Sequence, residues 1–390
     1  MFSTQTTARR RTVRKFAAAV LTPGPSGTAI HSRWQWARDQ VRNQCAADPT
    51  APGRRGLQLC LGLVWLLDAA LQYQPFMFRP SFVTMIIEPA ATGNPPFVTA
   101  SVGWASQLML HQVAVFNAAF ATVQLLIAVG LFFRRAVKPA LALSIVWALS
   151  VWWLGEGLGG ILIGLSPLAG VPGAVLLYVL IAVLVWPSTS GSGGPVTSVA
   201  TAGPAGATTA TVAWLALWGG FAHYLLLPAN RASDAISALL SHTDGQPGWI
   251  SAVMTGLARA SDDRGVEISV ALAILCAGIA LAVLAQPFIR PALVLAAGLG
   301  VLFWIAQGLG GIFTGQGTDP STGPLLILLA ACYLPRRAGQ SCPTQPGQAP
   351  DFSIRRRCPI LRRLVGQVSH APADKQGTGV ATSIGQISHL

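Results

Sequence analysis

Five side chains set within or at the ends of apolar stretches are the ones equipped for chemistry: Glu156, Asp68, His111, His223 and the uncharged Gln307. Carboxylates and imidazoles exchange protons, and a carboxylate also holds cations or hydrogen-bond donors. A charge at depth in a bilayer costs on the order of 3 kcal/mol on insertion scales, so such a group must face protein or a wet cavity. Counted from Ala140 at ~1.5 Å per residue, Glu156 lies about 24 Å along its apolar run. That is the outer quarter of a hydrocarbon core about 30 Å thick. Asp68, His111 and His223 fall at similar depth, and Gln307 is the counterpart of Glu156 in a second apolar run. Together they predict a ligand or proton site in a polar cavity open to the outside. The competing reading is an acid paired with a histidine that merely holds helices together. No Ser/His/Asp arrangement is legible, so no catalytic residue is assigned, and the chain reads as a binding or carrier protein rather than an enzyme on its own.

What positions these groups is a sentence written twice. Gly157-Leu-Gly-Gly-Ile161 with Gly164 returns as Gly308-Leu-Gly-Gly-Ile312 with Gly315, and each copy closes an apolar run that opens on Pro-Ala-Leu, at Pro139 and Pro291. The first copy also fits G-x-G-x-x-G, but a dinucleotide fingerprint needs a strand before it and a βαβ unit around it. The spacing of Gly160 with Gly164, and of Gly311 with Gly315, predicts close helix packing in lipid, joined by Gly157 and Gly308. Unwinding at the outer surface, with backbone groups turned to a cavity, is the other expectation.

The chain has 390 residues, 52% of them hydrophobic and only 10% charged, with a net charge of +13. Soluble domains carry roughly 25% charged residues. The expected fold is all-α: a polytopic membrane protein with about eight transmembrane helices in two parallel four-helix repeats. The apolar runs fall at about 57–73, 104–133, 140–156, 168–186, 211–227, 270–285, 292–307 and 323–334. With the N-terminus inside, all Lys and Arg except Arg79, Arg231, Arg259 and Arg264 lie on cytoplasmic segments, as the positive-inside rule asks. The expectation is a multi-pass protein of a bacterial plasma membrane with both termini cytoplasmic.

Residues 1–56 read as a basic, mostly disordered arm with an interfacial helix around 30–41. Residues 57–187 and 211–335 form the two repeats, 188–210 a Gly/Ser/Thr linker, and 336–390 a disordered basic tail. Basic residues in such arms meet anionic lipid, so membrane lipid is the expected partner and nucleic acid is not. The six cysteines form no C-x-x-C or Cys/His cluster, so no metal site is expected. Trp104 and Trp186 fall at helix ends as interface anchors do. Trp147, Trp152, Trp153 and Trp304 suit either packing or the lining of a site for an aromatic or isoprenoid headgroup.

The stretch Gln124-Leu-Leu-Ile-Ala-Val-Gly-Leu-Phe-Phe-Arg-Arg135, followed by Ala140–Leu149, resembles the DoxX/DoxD family of small four-helix membrane proteins. Gly130, Leu131 and Arg134 carry the family's Gly-Leu and cytoplasmic arginine, and Leu59–Leu67 is similar to its opening helix. Gln124 stands where that family shows an acid, and Cys276 takes the place in the second half. The resemblance implies a four-helix unit and a membrane subunit of a quinone-linked oxidoreductase. On that analogy a quinone is the ligand, and a membrane or redox subunit the partner.

Overall fold

Where an apolar run meets proline at its start and glycine at its end, the chain builds a helix and stops it. The computed structural model describes residues 51–187 and 198–335, and every regular element among them is helical. The first half contains α1 (Ala51–Gln72), short helical turns between 75 and 91, α2 (Pro96–His111), α3 (Val113–Phe132), α4 (Val137–Leu154) and α5 (Ala174–Leu184). The second contains α6 (Gly206–Leu225), α7 (Ala235–Leu240), α8 (Gly248–Ser261), α9 (Gly265–Ala282), α10 (Ile289–Ala306) and α11 (Thr322–Cys332). Pro96, Pro139 and Pro291 each stand in a first turn, where a missing N–H leaves no intrahelical bond unmade.

Four helices, α3, α4, α9 and α10, are long and apolar enough to cross a membrane. Their outward faces carry Leu126, Val146, Ile274, Leu281 and Val294, all exposed. Apolar side chains both inside and outside suit a bundle whose surroundings are hydrocarbon, where helices keep every backbone bond internal. The coarse class is therefore an all-helical membrane protein.

Several boundaries differ from expectation. The run 104–133 is two helices, broken at Gln112, whose backbone (φ −150°, ψ 58°) leaves the helical region. The fourth and eighth runs yield only 11 helical residues each in α5 and α11. At ~1.5 Å per residue that is about 16 Å, half the depth of a bilayer core. Non-helical chain precedes both. The linker is also shorter than expected: from residue 198 the chain is packed, with Val199, Ala200 and Ala202 buried and the Ala200 N–H donating to the Cys332 carbonyl at 2.9 Å. The interfacial helix around 30–41, the rest of the linker and the basic tail lie outside the described residues. The disordered arm, expected through residue 56, gives way to α1 at Ala51.

Packing follows one scheme in both halves. α1 lies on α3 as α6 lies on α9, α4 on α5 as α10 on α11, and α5 meets α11 between the halves. The core is aromatic there, with Trp65, Tyr178, Trp214, Trp218, Phe221 and Phe303 all buried. Helix ends are closed by side chains from α1. Arg55 donates to the Leu131 and Phe132 carbonyls (2.8 and 2.6 Å), Gln58 to the Val185 carbonyl (2.9 Å), and Arg54 to that of Trp186 (2.6 Å). A cation over orphan carbonyls satisfies them and the helix dipole at once.

Candidate functional site

Both glycine motifs are turns rather than helix. Leu158 (φ 63°, ψ 30°) and Gly159 (φ 60°, ψ 27°) are left-handed, and so are Leu309 (φ 55°, ψ 29°) and Gly310 (φ 72°, ψ 18°). A left-handed leucine is rare, so its occurrence at the same place in both motifs marks one turn geometry used twice. The expected small-residue helix packing through Gly157, Gly160 and Gly164, and through Gly308, Gly311 and Gly315, is corrected. All six adopt positive φ. Neighbouring backbone also leaves two glycines of the first motif, Gly157 and Gly159, no room for a side chain. A Cβ on Gly157 would lie 2.1 Å from the Ala90 carbonyl oxygen, and one on Gly159 2.0 Å from that of Pro172.

Ending α4 at Leu154 turns Glu156 toward the start of α5. Its carboxylate accepts the Val175 backbone N–H, one of the orphan donors of that helix terminus. Its other oxygen, Oε2, is inaccessible and has no hydrogen-bond partner. Nearby, the Tyr178 hydroxyl donates to Asp68 Oδ2 at 2.5 Å, while Asp68 Oδ1 is unpartnered. Asp68 is only 2% exposed.

A third acid completes the group, and sequence reasoning missed it. Asp319, in the turn before α11, accepts the Ser321 backbone N–H (2.7 Å) and the Thr318 hydroxyl (2.9 Å). It comes from the second half yet is a near electrostatic neighbour of Asp68 and Glu156. A signal was there to read: an acid between the second glycine motif and the last apolar run, where the first half has Ser166 and Pro167. Tyr178 was missed because a tyrosine in an apolar run looks like packing.

Glu156 and Asp319 lie beyond the ends of the crossing helices, and both are held above the usual carboxylate range. For Glu156 burial is the first cause and the charge of Asp319 the second, with the Val175 N–H opposing. For Asp319 burial leads, opposed by its bonds to Thr318 and Ser321. Burial favours the neutral form because no nearby water solvates the charge.

Two cavities meet at these acids. One, of about 310 Å³, is walled by Trp65, Phe82, Phe116, Phe120 and Trp147 and ends on Asp68, Glu156 and Asp319. Gln72 and Gln124 also line it, each with a buried side-chain oxygen lacking a partner. Trp104 and Leu108 also line it and stand exposed on α2. The other, of about 580 Å³, lies between the two glycine turns and is lined by Gln307, His242 and Gln246. Glu156 and Asp319 line both cavities, so the acids form the wall between them.

The expected site residues therefore separate. Asp68 and Glu156 share one cavity, and Gln307 faces the neighbouring one. There Gln307 bonds the Ser321 hydroxyl, the Thr322 hydroxyl (2.9 Å from Nε2) and the Pro167 carbonyl (3.3 Å). His111 and His223 line neither cavity and stand exposed, which corrects their placement in the polar group. Of the tryptophans, Trp147 lines the first cavity, Trp152 donates to the Pro172 carbonyl (2.8 Å), Trp153 donates to Ser101 (2.9 Å), and Trp304 Nε1 has no partner. Among the described residues no three acids, histidines or cysteines converge closely enough to hold a metal ion.

Compared with protein-family models, with curated protein sequences and with solved structures, the chain matches none.

Proposed function

We propose that the chain is a DoxX-like integral membrane protein of about eight spans in two parallel repeats. On this reading it lies in a bacterial plasma membrane with both termini in the cytoplasm. It serves as a binding module for a small or lipid-like ligand, a quinone among the candidates, within a larger membrane or redox assembly. Support for the repeat comes from the shared Leu158 and Leu309 turn geometry and the matched helix pairings. The observation that carries the ligand reading is the aromatic cavity of about 310 Å³ lined by Asp68 and Glu156, each of which keeps a buried oxygen without a partner. Ligand pockets are apolar chambers with a few convergent polar groups, and orphaned buried oxygens leave a ligand something to satisfy.

The test is mass spectrometry of small molecules retained by the detergent-purified protein, with Trp147→Ala for comparison. A lipid-like molecule held by the wild type and lost in the variant supports the reading. Retention of nothing by either, with phenotypes unaffected by Glu156→Gln, supports a ligand-free scaffold instead. A second reading, a proton-coupled carrier, is favoured by one observation: Glu156 and Asp319 border both cavities, so a proton on either is reachable from two sides.

A further inference from the structure

The chemistry of the cavity narrows its occupant. Three acidic residues line it, and among the described residues no Lys or Arg lines either cavity. Asp68 lines the space, is almost wholly buried, and keeps one oxygen without a hydrogen-bond partner. A carboxylate in such a place is stable only with a positive charge or a proton beside it. Beyond the acids, Trp65, Trp104, Trp147, Phe116 and Phe120 form the wall. Aromatic faces attract organic cations, quaternary ammonium groups above all. The acids are too dispersed to share a metal ion, whereas a bulky ammonium group touches separated oxygens and ring faces together.

Resting on the ligand reading above, we propose that the cavity binds an amphipathic organic monocation, and that each cation enters as one proton leaves the Asp68–Glu156–Asp319 group. When the cavity is empty, protons occupy the acids; when a cation enters, one acid ionises and its proton escapes to water through the second cavity. Net charge in the site stays constant, so no isolated buried charge arises at either stage. The other titratable groups facing Glu156 are Tyr178 from α5, bonded to Asp68, and His242 from the chain just after α7, across the second cavity.

Binding of octyltrimethylammonium to the full chain in neutral detergent tests this, with 2,2-dimethyldecane as the uncharged isostere. The expected result is binding of the cation at least about tenfold tighter than the isostere. Its apparent Kd should tighten by up to about tenfold per pH unit while the acids remain protonated, with about one proton released per cation in weakly buffered solution. Glu156→Gln should lower cation affinity at least about tenfold and reduce the proton release, the remainder coming from Asp68 and Asp319. That variant should fold, since Gln307 closes the corresponding helix start in the second half. Wild-type proton release stands as an independent measurement if it does not. Equal binding of the isostere with no proton release overturns the cation inference and leaves a neutral-lipid pocket. Binding of neither probe overturns the ligand reading as well.

Discussion

The turn after α4 and the turn after α10 share a backbone and differ in charge. Both pass through a left-handed leucine, and both put the residue before the first glycine at the start of a short helix. Glu156 accepts the Val175 N–H, and Gln307 accepts the Thr322 N–H at 3.4 Å. Gln307 bonds through both its amide nitrogen and its oxygen, whereas Glu156 keeps one buried oxygen unpaired. Glu156 borders the aromatic cavity as well as the second one, which Gln307 also lines; in the second half Trp218, Phe221 and Phe303 pack edge to face, each at most 2% exposed. A neutral amide therefore performs the structural task without loss. Leaving a buried polar atom unmet costs about 1–3 kcal/mol, and Glu156 carries that cost beside a space large enough for a ligand. The difference separates what the turn needs from what the site needs.

Backbone substitutions test the shared geometry most severely. Gly159→Ala collides with the Pro172 carbonyl and should cost more than about 4 kcal/mol, so folded protein should not accumulate in size-exclusion profiles. Gly310→Ala meets its nearest atom, the Asp319 carbonyl oxygen, at 2.7 Å, and should lose about half as much. Equal losses would mean that the two turns are not packed differently. Exchanging the side chains comes next. Gln307→Glu sets a carboxylate against the Pro167 carbonyl and should lower stability by roughly 2 kcal/mol near neutrality, read as a fall in melting temperature that acid reverses. Glu156→Gln removes the unpaired acid and should melt no lower than wild type; a loss above about 1 kcal/mol would show that the acid is structural.

A smaller effect follows from protonation. Glu156 and Asp319 bind protons more tightly folded than unfolded, so between the two ranges the folded state holds more protons. Stability then falls as pH rises through that window. Wild-type melting temperature should decline as pH rises above the ordinary carboxylate range, and Glu156→Gln should flatten the slope. An unchanged slope would remove Glu156 from the titration. Smallest of all, His111→Ala and His223→Ala should alter stability by less than about 0.5 kcal/mol and leave ligand retention intact.

Depletion of charge made the helical membrane class legible, and the proline and glycine landmarks located most helix ends within a few residues. The left-handed turns were less accessible. A five-residue motif in an apolar run fits close packing as well as a reversal, and contact with Ala90 and Pro172 decides between them. The histidines show another limit. Hydropathy fixes depth along a helix, but where every side is apolar it carries no azimuth, so His111 and Asp68 looked alike. Asp319 required knowing that α11 lies beside α5, a long-range contact that no local pattern contains.

Thr318 and Asp319 wall a pocket whose other lining residues all precede the linker. Neither portion of the chain owns that pocket. A polypeptide severed at residues 188–197 would leave the amino-terminal fragment with its chamber unsealed until the other fragment docked. A chimera joining portions from two divergent ancestors would inherit mismatched walls, so descent should have kept the two portions together.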